Sequence, residues 1–179
     1  MVKYTIRKFN WDRINKEGLP LDGLEVMEFF NRGLKTEYYK WVNRKSEITI
    51  DEIKNRWALT KDIDVVYVAV DPITNKIVSD GMLIVNSKEN KAELIITNDI
   101  NHIGKGIGTE LVKILLKEAK ERRLMVTLHT SISNNLMIDI MKTLGYEPSK
   151  IEESYVPDRF KNSDVAVVPE KVYYYSISL

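Results

Sequence analysis

Ile103-Gly104-Lys105-Gly106-Ile107-Gly108-Thr109-Glu110-Leu111 is the stretch on which the reading of this chain turns. Ahead of it Ala92-Glu93-Leu94-Ile95-Ile96-Thr97 reads as a strand, and behind it Leu111 to Arg122 reads as a helix. Glycines at alternate positions let the backbone turn tightly and bring its N–H groups close to a ligand, because no Cβ intervenes. A helix opening at such a turn offers unpaired N–H groups and the positive end of its macrodipole, and both attract phosphate. The residues thus point to a strand–loop–helix that holds a pyrophosphate, the bland alternative being a tight turn and nothing more. A P-loop would continue Gly-Lys-Ser/Thr, but Lys105 is followed by Gly106. A dinucleotide fingerprint counted from Gly104 would need a glycine where Thr109 stands, and would open a βαβ unit, whereas this motif lies past the middle of the chain.

Upstream, Val2 to Phe9 alternates as a first strand. Leu19-Pro20-Leu21-Asp22 suggests a turn into a helix with Asp22 as N-cap, followed by an apolar stripe of Leu24, Met27, Phe29, Phe30 and Leu34. Tyr38, Tyr39, Trp41 and Val42 continue that stripe or start another piece. Thr49 with Glu52 is a capping box for a helix carrying Ile53, Trp57 and Leu59. Val65 to Val70, Ile77 to Asn86 (with Gly81 as an expected bulge) and Ala92 to Thr97 form an antiparallel meander with turns at Asp71-Pro72 and Ser87 to Lys91. In the helix after the loop, Leu111, Ile114, Leu115 and Ala119 face inward. Leu124 to Leu128 should lie parallel to the Ala92 strand, because a helix connects them. A second helix begins at Ser133-Asn134-Asn135, carries Leu136, Met137, Ile140, Met141 and Leu144, and stops at Gly145. Asp158 to Asp164 reads as a loop and Val172 to Ile177 as a final strand, whose Tyr- and Val-rich sequence suggests an edge for a homodimer.

The glycine stretch resembles motif A of the GNAT superfamily of N-acetyltransferases, Gln/Arg-x-x-Gly-x-Gly/Ala, with Gly106 and Gly108 in the glycine positions and Ile103 in place of the polar residue. Asn134, Leu144, Gly145 and Tyr146 resemble the same family's motif B. The order of elements is similar to the GNAT layout over essentially the whole chain. The resemblance implies a mixed α/β (α+β) fold with a mostly antiparallel central sheet and helices on both faces. It implies one domain over 1–179, with acceptor-side helices in 1–64, an acetyl-CoA-binding core in 65–150 and a C-terminal loop and strand in 151–179. By it, Gly104, Lys105, Gly106, Ile107, Gly108 and Thr109 would hold the pyrophosphate of acetyl-CoA. The backbone of Ile96, Thr97 and Asn98 would pair with pantetheine, at an edge made by splaying two parallel strands, and Asn134 would contact the cofactor.

Bulk composition narrows the choice further. Hydrophobic residues at 44% and charged residues at 30% are ordinary globular values. A net charge of +1 gives no pull toward nucleic acid or membrane, and no apolar run is long enough to span a bilayer. The absence of cysteine excludes disulfides, a thiolate nucleophile and Cys-ligated zinc, and two histidines at no recognised spacing give no metal site. With no apolar signal core at the start, a cytoplasmic location is expected.

Acetyl transfer to an amine requires a neutral amine and a protonated leaving thiol. The candidate bases are Glu93, on the strand before the loop, and His129, at the end of the following strand, where one group of N-terminal acetyltransferases in the resembled family carries a catalytic Glu. His102 is a weaker candidate. Met141 stands where many members carry a thiol-protonating Tyr; Met donates no proton, which leaves Tyr146, Tyr155 or Tyr173 to Tyr175 as donors. Two functions follow: an N-acetyltransferase moving acetyl from acetyl-CoA to an amine acceptor by direct attack in a ternary complex, or a GNAT-like acyl-CoA-binding sensor or structural module without catalysis.

Overall fold

The structure, a computed structural model, describes residues 4–35, 47–60 (without the side chains of 56–60), 64–153 and 171–179. The expectations for Tyr38, Tyr39, Trp41, Val42, the Trp57 and Leu59 side chains, Tyr155 and the 158–164 loop lie outside these residues. The elements are β1 (Thr5–Lys8), α1 (Leu21–Gly33), α2 (Ile50–Thr60), β2 (Val65–Val70), β3 (Ile77–Asn86), β4 (Lys91–Asn98), α3 (Ile107–Glu121), β5 (Met125–Ser131), α4 (Asn135–Thr143), β6 (Lys150–Glu152) and β7 (Val172–Ile177), with a 3-10 turn at Ile100–His102. One seven-stranded sheet runs β1-β2-β3-β4-β5-β7-β6. All neighbours are antiparallel except β4 and β5, which the α3 crossover makes parallel.

Adjacent strand residues point to opposite faces, and the packing shows it. Val68 joins Phe29 and Phe30 of α1, while its neighbour Ala69 joins Ile107 and Leu111 of α3. Met141 of α4 shares a cluster with Leu115 of α3 and with Val126 and Leu128 of β5, so α4 lies on the α3 side. In α3 the inward face is Leu111, Val112, Leu115, Leu116 and Ala119, with Ile114 only half-buried.

Several local expectations are corrected. Helix α3 begins at Ile107 and not Leu111, so Gly108 and Thr109 belong to its first turn. Asp22 is not an N-cap: Pro20 holds that position without a side-chain bond. The Asp22 carboxylate, fully buried, instead accepts from Arg7 (2.9 Å to Oδ1) and from the Asn10 N–H (2.8 Å), with Arg13 at 3.4 Å. Gly81 makes no bulge; it pairs in register with Tyr67 and Ile96, and the irregularity falls between Ala69 and Val70. A Cβ at Gly81 would stand 2.8 Å from Ile96 Cδ1 and 3.0 Å from Leu115 Cδ1, so the glycine admits α3 to the sheet. β7 is no open edge, since β6 and Ser149 occupy its outer side through Ser176. The Thr49–Glu52 capping box forms as expected, with Glu52 N–H to Thr49 Oγ1 at 3.2 Å and Thr49 N–H to Glu52 Oε2 at 2.8 Å. The Gly145 stop forms too: Gly145 has φ 83°, and the Tyr146 N–H donates to the Met141 carbonyl at 2.9 Å.

Burial by itself pushes the Asp22 carboxyl up, but the Arg7 hydrogen bond, the Asn10 N–H and the charges of Arg7 and Arg13 outweigh it and hold the group below the usual carboxylate range. Its stabilising contribution is therefore complete above the unfolded value near pH ~4 and is lost as pH falls through the lower folded value. Asp22→Asn should cost about 3 kcal/mol at neutral pH, by leaving Arg7 without its buried partner. Urea unfolding at a series of pH values checks this, with the wild-type and variant midpoints converging below about pH 4.

Candidate functional site

The sheet opens where β4 and β5 meet. Their register pairs run Lys91↔Met125, Ala92↔Val126 and Glu93↔Thr127 and then stop, although β4 continues to Asn98 and β5 to Ser131. In an antiparallel ladder alternate residues turn both backbone groups to the same neighbour. Asp99 N–H donates to the Val78 carbonyl (2.8 Å) and Ser79 Oγ to the Thr97 carbonyl (2.8 Å), so Ile95, Thr97 and Asp99 face β3. Leu94, Ile96 and Asn98 then face the opening. By the same parity, Ile132 N–H on the Lys171 carbonyl turns Thr130 to β7 and leaves His129 and Ser131 facing β4. Of the three residues expected to offer backbone to pantetheine, Ile96 and Asn98 turn it toward the opening. Thr97 is a correction, because its backbone is turned to β3.

At the open end β4 leads into the glycine loop, and two buried polar contacts hold the loop's base. Asp99, 2% exposed, caps the 3-10 turn by accepting from Asn101 N–H (2.9 Å) and is ion-paired with Arg32 of α1. His102 Nε2 lies 3.2 Å from Asp71 Oδ2, with the ring edge-on to Tyr4. Among the causes that hold the Asp71 carboxyl below its ordinary range, the Ile73 N–H comes first, and the His102 contact adds to it. Gly104 and Gly106 then take φ values of 74° and 80°, and a Cβ at either would meet nothing within 4 Å, so both face open space. Gly108 is different. It is buried, and a Cβ there would come 3.0 Å from Ile140 Cδ1, so it lets α4 approach α3.

Between these helices lies a cleft of about 240 Å³ lined by Asn98, Ile103, Gly104, Gly106, Gly108, Thr109, Leu136, Asp139 and Ile140, among others. The first N–H groups of α3 have no acceptor within the helix. Lys105 is exposed and does not line the cleft, and the Ile107 side chain is buried in the core, leaving its backbone for the loop. Leu136, expected on the inward stripe, is 37% exposed and lines the cleft. Asn134 is the N-cap of α4: its Oδ1 accepts from Met137 N–H (3.3 Å) and its Nδ2 donates to Thr130 Oγ1 (3.0 Å).

The opposite face of the opening carries the titratable groups. Glu93 and His129 sit at its closed end, with Glu93 Oε1 3.7 Å from His129 Nδ1. Glu152 of β6, which periodicity did not single out, lies 3.6 Å from His129 Nε2. The Tyr174 ring lies tilted against the His129 ring with centroids 4.9 Å apart, and Lys150 joins Glu152 at 2.7 Å. Tyr146 is on the other side, half-buried against the cluster that contains Met141 and Tyr175. Met141 is fully buried in that core. Burial first, then the charges of Glu147 and Tyr173, push the Tyr175 hydroxyl up. His102, at the loop base, is not brought to Glu93 and His129. A three-residue strand is too short for any periodic signal; the alternation of Lys150 and Glu152 about Ile151 is the only trace of β6 in the sequence.

Residues 31–146 match the acetyltransferase (GNAT) family, more than half of the chain, and the protein belongs to that family. No curated protein matches the sequence. Among solved structures, an N-acetyltransferase from Staphylococcus aureus superposes with a TM-score of 0.72 at 15% identity, covering 98% of both chains. A phosphinothricin acetyltransferase from Sinorhizobium meliloti in complex with AcCoA gives 0.75 at 14% identity over 100% of this chain and 89% of that one. A spermidine N-acetyltransferase from Vibrio cholerae in complex with CoA and spermine gives 0.70 at 14% identity over 98% and 95%. At such identities the likeness establishes the fold, a mixed sheet with helices on both faces. Among the described residues no group of side chains could hold a metal ion, and no helix is long and apolar enough to cross a membrane.

Gly106→Ala should destabilise the protein by roughly 1–2 kcal/mol through its left-handed backbone alone, and Gly106→Asn by less. Gly108→Leu should cost more, because it drives α4 off α3. Chemical denaturation of the three variants measures the order.

Proposed function

We propose that this protein transfers acetyl from acetyl-CoA to an amine by direct attack in a ternary complex. The observation that carries this reading is the opening between β4 and β5, with an open glycine loop at one end and the Glu93–His129 pair at the other. The residues present fit the cofactor: Gly104 and Gly106 have clear space above them, and β4 runs on past its last register pair with β5 with the backbone of Ile96 and Asn98 turned to that side. The backbone N–H groups of Gly104 to Thr109 would hold the pyrophosphate, with Lys105 adding charge from outside the cleft. Ile96 and Asn98 would take pantetheine as a strand edge takes a peptide. Asn134 shapes the cofactor side by starting α4 where it does. When bound, acetyl-CoA supplies an activated thioester.

The chain's own task is the proton. A lysine-type amine, with a pKa near 10.4, needs roughly 4–5 kcal/mol to lose its proton at pH 7, and an α-amine near 7.7–8 only about 1–1.4 kcal/mol. His129, with Glu93 beside it, is the base, and Tyr146 on the α4 side is the hydroxyl that returns a proton to the leaving thiolate. The burial of Met141 and the use of the Asn134 amide as a helix cap favour the second reading, a module that binds acyl-CoA without turning it over.

Calorimetric titration with acetyl-CoA should give micromolar binding that Gly106→Trp abolishes. Asp139 places a carboxylate on the cleft wall, so Asp139→Asn should tighten acetyl-CoA by up to about fivefold at low salt. In a panel of amines, wild-type protein should release thiol with at least one acceptor, and His129→Ala should lower that rate by about 100-fold or more. Binding with no release from any amine would replace the transferase with the binding module.

A further inference from the structure

We propose that Glu152 is a positioning residue for His129: it holds the Nε2–H of the imidazole and so presents Nδ1, unprotonated, to the β4 side where the amine must give up its proton. This rests on the transferase reading above.

The strand order carries it. His129 is on β5, with β4 on one side and β7 then β6 on the other. Nδ1 faces Glu93 on β4, and Nε2 faces Glu152, which reaches back over β7 from β6. The two nitrogens therefore have different surroundings, one at the sheet opening and one away from it. The His129 side chain is 10% exposed, so rotation of the ring is restricted by what packs on it. Tyr174, its cross-strand partner, packs against the ring at a tilt of 50° with centroids 4.9 Å apart. Glu152 is itself fixed, by the Lys150 ammonium at 2.7 Å, and that ammonium also lies 4.8 Å from the centre of the Tyr174 ring. Lys150 and Glu152 of β6, His129 of β5 and Glu93 of β4 thus form a connected line of ionisable side chains that ends at the opening.

At 3.6 and 3.7 Å the contacts are too short to admit a water and longer than a direct hydrogen bond, as catalytic contacts often are before a substrate binds. A neutral imidazole carries one ring proton, and the nitrogen without it is the acceptor. With the proton held toward Glu152, the proton leaving the amine nitrogen has Nδ1 to go to. The imidazolium so formed lies between two carboxylates, then returns one proton to solvent, and the carboxylates end with the charge they began with. Without Glu152 the proton is free to settle on Nδ1 toward Glu93, which blocks the acceptor.

The chain has two histidines, so long-range 15N–1H spectra resolve each ring, and His102→Gln assigns the other set to His129. Wild-type His129 should be in the Nε2–H form at neutral pH, and Glu152→Ala should shift it to the Nδ1–H form or a mixture. Glu152→Gln, which keeps the size, controls for disturbance of the short strand and should give a smaller shift. An Nδ1–H ring in the wild type, or an unchanged ring in Glu152→Ala, overturns the proposal whether or not an acceptor is known. With an active acceptor in hand, Glu152→Ala should lower kcat roughly 10-fold or more while the KM for acetyl-CoA stays within about twofold. An unchanged kcat overturns the positioning role and leaves the transferase standing; a wild type that acetylates no amine sinks the transferase, while the spectra still decide who holds the ring.

Discussion

The end of hydrogen bonding between β4 and β5 at Glu93↔Thr127 is the constraint on which the rest depends. Where two parallel strands part, the peptide groups that face the gap are no longer bonded strand to strand. The far sides of both strands are paired, β4 with β3 over Lys91–Asn98 and β5 with β7 over Val126–Ser131. Helix α3 covers one face of the junction closely because Gly81 leaves room for Ile96 and Leu115. The peptide groups of Ile96 and Asn98 therefore remain aimed at a space that a ligand can enter. A one-residue change of register would turn Thr97 to that space and the side chains of Glu93 and His129 to the wrong face.

Position along the opening sets the division of labour. At its wide end the chain must bend sharply into α3, and the bend is held from below by polar contacts: Asp99 with Arg32 of α1, and His102 with Asp71 at the β2–β3 turn. These contacts tie the loop to elements far away in sequence, while Gly104 and Gly106 supply the left-handed backbone and keep the upper side open. The loop offers backbone N–H groups and a helix end toward the cleft, while Lys105 lies outside it. That explains how Ile103 can stand in the polar position of the family's motif: it lines the cleft as an apolar wall, and the N–H groups remain.

At the closed end the sheet separates two sets of chemistry. The α3–α4 face has Tyr146 against a core that swallows Met141, and the other face has Glu93, His129 and Glu152. The insertion of β7 between β5 and β6 brings residues from the last part of the chain beside β5, so the acid nearest His129 Nε2 comes from a strand that is not its neighbour.

What the sequence by itself determined was local. The glycine loop, the amphipathic helix behind it, the capping box at Thr49 and Glu52 and the glycine stop at Gly145 each depend on residues a few positions apart, and each forms, the helix starting one turn earlier than the pattern put it. The pairing of Glu93 with His129 was within reach too, as two candidates on strands the crossover must make parallel. The tertiary structure decided what depends on register and on distant partners. Asp22 looks like a cap until Arg7 and Asn10 are seen to hold it; Gly81 looks like a bulge until α3 is packed over it; Thr97 looks available until the β3 ladder fixes its direction. Glu152 could not be singled out, because a three-residue strand has no periodicity and its contact with His129 exists only after β7 has inserted between them. Local preferences are written in neighbouring residues, but the direction of a peptide group and the partner of a charge are set by strands that meet only in the folded sheet.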